Sequence, residues 1–276
     1  MYFVSPFTPI FFTPSTDTSG SGSSYTQIFS PSDEILLQVI CRSESRTITG
    51  KIINMFSAEA PIDITWKVWS MNQSDKLLYH VITGLADGCY CVEINGIKSE
   101  PFRITSDKAE LDKTTLIQYS MKDNKRRQDG IFWIGDTQFY FDWRVPGGFK
   151  DDNWTFGVEN EQYTDSDNNM YDVYSAESTQ KAFTLGDSCG CPIWFGEMLN
   201  RILSCTYVYF EGERFVRSGS SVPEMQKVME NRRSYVFKQI LFDLKIVDYD
   251  ESANIMKIRR VDDSTFRKVQ NRILTV

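Results

Sequence analysis

The run Cys89-Tyr-Cys-Val-Glu-Ile94-Asn95-Gly96-Ile97 carries the clearest fold signal in this 276-residue chain. Its first six residues include aromatic and β-branched side chains, which favour strands because they pack well on a pleated, half-buried surface. Asn-Gly follows, and a type I′ turn needs a positive φ at both central residues, which Asn and Gly tolerate. The run therefore predicts a β-hairpin whose second strand begins at Ile97.

Four runs of similar composition precede this hairpin. They combine β-branched and aromatic residues with partial alternation, which is typical of short strands; they are Ile35-Leu-Leu-Gln-Val-Ile40, Thr47-Ile-Thr-Gly-Lys-Ile-Ile53, Asp63-Ile-Thr-Trp-Lys-Val-Trp69 and Leu77-Leu-Tyr-His-Val-Ile82. Six or seven short strands within about 70 residues are typical of a two-sheet sandwich. We therefore predict a small immunoglobulin-like β-sandwich over residues 34–107.

A second, β-rich domain is predicted over residues 108–250. The polar and charged segment 106–113 marks the boundary between the two domains. Strand-like runs follow it, at 114–119, 131–134, 139–145, 206–210, 214–217 and 234–247. We expect Pro146-Gly-Gly148 to break the strand pattern, and the polar stretch 150–176 shows little periodicity.

The clearest helix signal in this second domain lies at 192–204. Pro192 suits the first helical position, where its missing N–H is not needed. Apolar residues then recur on one face at a spacing of three and four, at Phe195, Met198, Leu199, Ile202 and Leu203. We predict the main α-helix here, with Phe195 and Leu199 against the sheet, and a second short helix at 223–231.

Residues 1–33 are predicted to form an extended N-terminal arm. Phe7, Phe11 and other large apolar side chains stand among prolines, which fix φ and remove donors, so that a central strand or a helix is excluded. These side chains then need a surface to lie on, and either their own domain or a neighbouring chain could supply it.

Residues 251–276 are predicted to form a basic C-terminal arm. From Ala253 onward the chain has six Lys and Arg residues, among them Arg259 and Arg260, and two Asp residues. Such a segment is attracted to a negative surface, and one option is an acidic patch on a neighbouring subunit. We expect at least one of the two arms to cross to another chain in an assembly.

Overall charge and apolar content limit the partners. The formal net charge is −7 and the isoelectric point is near 5.0, which disfavours nucleic acid as a partner, since phosphate binding needs surplus Lys and Arg. Lys125-Arg-Arg127 is interpreted as a solvated loop. No secretion signal and no apolar run of the ~20 residues that span a bilayer are visible. We therefore expect a soluble protein with no membrane partner, made in the cytoplasm and with reduced thiols.

Histidine and cysteine provide few candidates for chemistry. The single histidine, His80, lies within a predicted strand, where packing is a better interpretation than catalysis. Cys89 and Cys91 are expected to be packed, because zinc pairs usually have two to four intervening residues. Cys189 and Cys191 precede the helix, whose dipole would stabilise a thiolate, so that a metal or redox site stays open there.

Carboxylates in the polar stretch provide two more alternatives. Residues 165–169 resemble the start of a calcium loop, but Met170 replaces the required glycine and Ala176 the final glutamate, which leaves only an irregular calcium site open. Pairs such as Asp151 and Asp152 could serve a glycoside hydrolase, although solvated loop charge is the better interpretation. The sequence thus assigns no catalytic, cofactor-binding or metal-binding residue.

Aromatic and basic side chains are therefore expected to serve in the core or at interfaces. The candidates are Phe7, Phe11, Trp143, Trp154, Phe195, Leu199, Arg217, Arg259 and Arg260. Trp154, in the polar run Lys150-Asp-Asp-Asn-Trp154, could alternatively form part of a sugar-binding platform.

Several longer stretches carry a family resemblance. In chain order they are Ser99-Glu-Pro-Phe-Arg-Ile104, Leu116-Ile-Gln-Tyr-Ser120, Phe141-Asp-Trp-Arg-Val-Pro-Gly-Gly-Phe149, Glu177-Ser-Thr-Gln-Lys-Ala-Phe-Thr-Leu-Gly186, Pro192-Ile-Trp-Phe-Gly-Glu-Met-Leu-Asn-Arg-Ile-Leu-Ser204, Phe215-Val-Arg-Ser218 and Pro223-Glu-Met225. Together they resemble a family of proteins encoded in phages and prophages of Bacteroides-like gut bacteria. The resemblance implies a virion structural protein of the tail.

The second domain also resembles the tail-tube and distal-tail type of fold, in which a sandwich with one crossing helix forms a ring by joining sheets between subunits. A strand at 181–185, the helix from Pro192 and a hairpin follow in the matching order. One departure is that the small sandwich comes first here, whereas the ring-forming domain usually leads in distal-tail proteins.

The function expected from the sequence is that of a non-enzymatic structural protein of a phage tail or baseplate. The resemblance implies contacts with other tail or baseplate proteins and a cyclic assembly through the second domain, which we expect to contain six copies. The alternatives are a surface adhesin or glycan-binding module and, less favoured, a glycoside hydrolase.

Overall fold

The computed structural model describes residues 1–12, 25–42, 47–57, 60–124, 129–219, 221–228, 234–243, 246–250 and 255–259. Positions 150–153, 159, 172, 174–178, 246–250 and 255–259 are described as backbone alone. The chain is mainly β, as predicted, with three larger sheets. Two helices occur in the described part. Neither of them is long and apolar enough to cross a membrane.

The first two sheets form a sandwich. Their strands are β1 (Tyr2–Val4), β2 (Gln27–Phe29), β3 (Ile35–Arg42), β4 (Gly50–Asn54), β5 (Ile62–Asp63), β6 (Lys67–Ser70), β7 (Asp75–Ile82), β8 (Gly88–Ile94), β9 (Ile97–Lys98) and β10 (Phe102–Ile104). One sheet has the order β1-β3-β7-β6, and the other has the order β2-β10-β8-β4-β5 with β9 on β8. Val39 and Ile82 from the first sheet share a core with Val92 and Phe102 from the second.

The predicted hairpin at Asn95-Gly96 is confirmed. The two residues have φ values of +48° and +84°, and β8 pairs with β9 across them. Both values lie in the left-handed region that the turn requires.

The third sheet closes into a barrel. Its part of the chain contains α1 (Lys108–Leu111), β11 (Thr114–Ser120), β12 (Trp133–Ile134), β13 (Thr137–Gln138), β14 (Phe141–Thr164), β15 (Met170–Leu185), α2 (Ile193–Ile202), β16 (Tyr207–Phe210), β17 (Glu213–Arg217), β18 (Glu224–Lys227), β19 (Tyr235–Asp243), β20 (Ile246–Asp250) and β21 (Ile255–Arg259). Six strands follow one another as β15-β14-β11-β16-β17-β19, and β19 pairs back with β15. β18 adds to the edge of β19, while β12–β13 and β20–β21 form separate two-stranded sheets.

Helix α2 packs against the barrel, as its apolar spacing predicts. Phe195, Met198, Leu199 and Ile202 are buried. The contact is close, because a Cβ added to Gly196 would lie 2.4 Å from the ring of Phe237. Pro192 is the N-cap of this helix and precedes the first helical residue.

Two sequence expectations about this domain are wrong. Pro146-Gly-Gly148 lies within β14 and does not break it. Gly147 has a φ of +108°, and a Cβ there would lie 2.0 Å from the Thr184 carbonyl oxygen, so that glycine allows the two strands to approach closely. The short helix expected at 223–231 is instead the edge strand β18 in its described part.

Residues 1–12 of the predicted N-terminal arm lie on the chain's own domains, the first of the two surfaces that the sequence left open. β1 pairs with β3 as an edge strand, a position that the prolines permit. Phe7 is fully buried in the barrel-side core, and its carbonyl accepts a hydrogen bond from the Tyr119 hydroxyl. The Arg201 guanidinium donates to the Pro6 carbonyl at 3.0 Å. The segment thus joins the sandwich to the barrel domain.

Buried polar groups reinforce this junction. The carboxylate of Asp33 lies 2.7 Å from Nε of Arg144, and both side chains are almost fully buried. Asp142 accepts hydrogen bonds from the Glu34 N–H and the Gln118 side-chain amide. Burial raises the pKa of Asp142 to about 6, although these two hydrogen bonds lower it and the nearby Asp33 adds to the rise.

The C-terminal segment is described only in part. β20 and β21 form an antiparallel pair in which Ile246 lies opposite Arg259. The predicted long strand at 234–247 is therefore divided between β19 and β20. Arg260 lies outside the described residues, as do the loop Lys125-Arg-Arg127 and the remainder of the predicted C-terminal arm.

Candidate functional site: a projecting hairpin

Strands β14 and β15 extend well beyond the barrel. β14 pairs with β11 only as far as Pro146, and β15 pairs with β19 only from Gln180. Beyond these points, 154–164 pair with 170–181 of the same hairpin. The eleven residues from Trp154 to Thr164 span about 35 Å at ~3.3 Å per residue. We call residues 154–179 the hairpin arm.

A side-chain-capped turn closes the tip of the arm. The Asp165 carboxylate accepts hydrogen bonds from the N–H groups of Asp167 and Asn169 at 2.9 and 2.8 Å. These bonds lower the pKa of Asp165 because they favour the charged form. Asn168 has a φ of +61°, which Asn tolerates in a tight turn. The run that resembled a calcium loop therefore has the geometry of a hairpin turn, and the described residues contain no group of three or more potential metal ligands.

Apolar side chains on the arm are uncovered. Trp154, Phe156 and Val158 alternate along β14 and so share one face, where Phe156 is 75% exposed and Val158 is 65% exposed. Tyr163 on β14 lies opposite Tyr171 on β15, and its parity places it on the other face. Both tyrosines are more than half exposed. Exposed apolar surface of this kind commonly marks a contact site.

A caged lysine fixes the base of the arm. Nζ of Lys181 lies 3.4 Å from carboxylate oxygens of both Glu213 and Asp243. The same ammonium lies 4.6 Å from the ring centre of Trp154 and 5.2 Å from that of Phe215. Because Lys181 is directly opposite Trp154 across the strand pair, these charge and cation–π contacts hold the arm at the barrel rim.

The arm is strongly acidic. Residues 151–178 contain eight Asp and Glu residues and no Lys or Arg: Asp151, Asp152, Glu159, Glu161, Asp165, Asp167, Asp172 and Glu177. Without these eight charges, the formal net charge of −7 becomes +1 for the remainder of the chain. The negative charge of this sequence is thus concentrated in the segment that forms the hairpin.

Four of the nine candidates from the sequence lie in the core, away from the arm. Phe7, Trp143, Phe195 and Leu199 are fully buried in the barrel-side core. Trp143 and Phe195 are in contact, with ring centres 5.4 Å apart.

Phe11 and Arg217 occupy more exposed positions. The ring of Phe11 stacks on Trp194 of α2, with centroids 4.7 Å apart. The Arg217 guanidinium donates to the Asn200 side-chain oxygen at 2.6 Å. Arg259 lies in β21, described as backbone alone, and Arg260 is outside the described residues. Of the predicted interface candidates, only Trp154 belongs to the arm.

The candidates for chemistry adopt structural positions. His80 lies on β7, with Nδ1 3.0 Å from the Thr65 carbonyl oxygen. Cys91 is buried in β8, and burial raises the pKa of its thiol. Cys191 is also buried, which raises its pKa to about 12. A thiol with that pKa is protonated near neutral pH, which disfavours a thiolate at Cys191.

Sequence reasoning missed the arm because the stretch 150–176 looked polar. A signal was present, since Trp154-Thr-Phe-Gly-Val158 alternates large apolar residues with smaller ones. Lys181 gave no such signal, because its cage assembles residues from β14, β15, β17 and β19.

Comparisons with known proteins supply no further constraint on the arm. Protein-family models, curated proteins and solved structures give no match to the chain. The candidate site therefore depends on the length, exposure and charge of the arm itself.

Proposed function

We propose that this protein is a non-enzymatic structural component of a phage tail or baseplate, and that it assembles into a ring through its second domain. The main structural support is the hairpin arm, which belongs to that domain and leaves its apolar side chains uncovered in a single copy. The stretches that resemble phage and prophage proteins support the place in the tail. Contacts with other tail or baseplate proteins are part of the same proposal.

The arm has the physical properties of an assembly element. An isolated two-stranded hairpin is marginally stable in water, and it usually needs further strands or a packing surface. Along residues 154–179, outside the barrel, the described part of the chain provides neither a further strand nor a packing surface. A neighbouring molecule that covers Phe156, Val158 and Tyr163 supplies what the single copy lacks.

Charge decides the kind of contact. Two arms with six acidic residues each repel one another, so a symmetric dimer in which arm pairs with arm is disfavoured. The arm instead contacts a different surface of the next copy. Such a heterologous contact produces a closed ring when its rotation closes, and an open filament when it does not. We propose a ring of six copies.

Electron microscopy of the purified full-length chain, or of the particle that carries it, tests the proposal. The expected images show rings of uniform diameter with a single cyclic symmetry. A double variant, Phe156→Ser with Val158→Ser, is expected to abolish the rings. The proposal fails if the protein shows no ring in either preparation.

A glycan-binding module remains the second candidate, because the rings of Trp154 and Phe156 lie 6.2 Å apart on the exposed arm. Adjacent aromatic rings can stack on a sugar. The Lys181 ammonium already lies over the Trp154 ring, which reduces the free platform. A glycan array distinguishes glycan binding from ring assembly. The glycan-binding function is favoured if the protein stays monomeric, binds a glycan, and loses that binding in the Trp154→Ala variant.

A further inference from the structure

We propose that the hairpin arm of one copy binds the basic C-terminal segment, residues 253–276, of the next copy. This inference rests on the proposed ring and names the two surfaces that meet in it.

The charges of the two segments are complementary. The arm region 151–178 carries a formal charge of −8, and residues 253–276 carry six Lys and Arg against two Asp. Outside the arm region the chain is close to neutral, at +1. The C-terminal segment, with a net charge of +4, is therefore a source of positive charge that a second copy can offer to the arm.

The two segments leave the barrel at the same rim. β19 ends at Asp243, whose carboxylate contacts Lys181 at the base of the arm. β21 then returns towards that rim, because Arg259 pairs with Ile246, three residues after Asp243. In a cyclic ring, the barrel rims from which the arms extend lie at the same height along the symmetry axis in all copies. An arm of about 35 Å exceeds the ~30 Å diameter of a small domain, so it can reach the rim of the next copy.

Apolar surface adds to the attraction. The C-terminal segment places large apolar residues between its basic ones: Phe266, Val269, Ile273 and Leu274. The arm is exposed on both faces, and along residues 154–179 its two outer edges lack a described partner strand. An extended segment can add to such an edge through main-chain hydrogen bonds while its side chains cover one face.

The area of the arm indicates that a second copy covers it, and not the C-terminal segment of the same chain alone. A ribbon about 35 Å long and about 10 Å wide presents roughly 350 Å² on each face, whereas a stable interface buries about 800 Å² per partner. A single extended segment covers one edge and one face. Both faces and an edge are needed, and a neighbouring barrel together with its C-terminal segment can cover them.

A complementation experiment with two full-length variants tests the inference. The arm variant carries Phe156→Ser and Val158→Ser, and the tail variant carries Arg267→Glu, Lys268→Glu and Arg272→Glu. Each variant alone is expected to be monomeric by light scattering. When mixed, the intact arm of the tail variant binds the intact tail of the arm variant, which gives a 1:1 heterodimer. Its population is expected to fall as salt rises, because screening weakens the charge contact.

The control for the tail variant reverses the same number of basic charges elsewhere on the chain. Lys51→Glu, Lys67→Glu and Lys76→Glu change three exposed lysines of the sandwich and are expected to leave the rings intact. The inference is overturned if the tail variant forms rings like the unchanged chain. It is also overturned if the unchanged chain forms rings but the mixed variants give no heterodimer. An unchanged chain that never forms a ring contradicts the proposed function itself, which separates the two failures.

Discussion

The same two strands behave differently inside and outside the barrel. Within the barrel, β14 and β15 bury Trp143, Val145 and Phe183 completely. Beyond the rim, the same strands expose Phe156 and Val158. The alternation of large side chains is similar in both parts. In the barrel, further strands complete a closed sheet, and the apolar residues form its core. In the arm, no described strand covers the hairpin, and the apolar residues form an open contact surface.

The largest expected effect lies in the N-terminal segment, which contributes to the core. Phe7→Ala removes a fully buried ring that contacts Phe132 at 5.1 Å, and it should reduce the free energy of unfolding by about 3–5 kcal/mol. Phe56→Ala is the control, since Phe56 is 86% exposed, and it should cost under about 0.5 kcal/mol. Urea denaturation measures both. Equal midpoints would show that residues 1–12 are not part of the core.

The helix on the barrel provides the next test. Leu199→Ala should cost about 2–5 kcal/mol through lost burial and a residual cavity. Glu197→Ala, on the exposed face of the same helix, should change stability by under about 0.5 kcal/mol. Asn200→Ala should cost up to about 1 kcal/mol, because it removes the acceptor of Arg217. If Leu199→Ala and Glu197→Ala melt together, the helix does not cover the core as described.

A smaller effect is expected at the junction between the sandwich and the barrel, and it depends on pH. The pKa of Asp142 is about 6 in the folded chain, against an ordinary value of 3.8. Between about pH 4 and pH 6 the folded state therefore binds more protons at this group than the unfolded state does. The contribution of Asp142 to stability is present at pH 4 and is lost as the pH rises through 6.

Asp142→Asn removes this titration. The stability of the unchanged chain relative to the variant should fall by about 1–3 kcal/mol between pH 4 and pH 7. Denaturant titrations of both proteins across that range measure the difference. A difference that does not vary with pH would mean that Asp142 titrates at its ordinary value.

The smallest effect on folding is expected in the arm, where the effect on assembly should be complete. Phe156→Ser and Val158→Ser alter side chains that water already contacts. Together they should change the unfolding free energy by less than about 0.5 kcal/mol. Thermal unfolding of the dilute monomer checks this. A large loss of stability would place the two side chains in a core of the single copy and contradict the comparison with the barrel.

Local patterns predicted much of this fold. Asn95-Gly96 predicted its hairpin because only a few residues tolerate two positive φ values, and the face formed by Phe195 and Leu199 predicted the helix because its spacing is specific. Contacts between residues far apart in the sequence could not be predicted from such local patterns. The closure of β19 onto β15 and the cage of Lys181 depend on strands far apart in the sequence. The polar composition of 150–176 concealed a hairpin whose apolar residues face outward.

The most direct test of the proposed ring is the mass of the assembly in solution. Light scattering across a wide concentration range should give the full-length chain a single mass of six copies, and the Phe156→Ser, Val158→Ser variant the mass of one copy. A full-length chain that remains monomeric throughout that range would contradict the proposal.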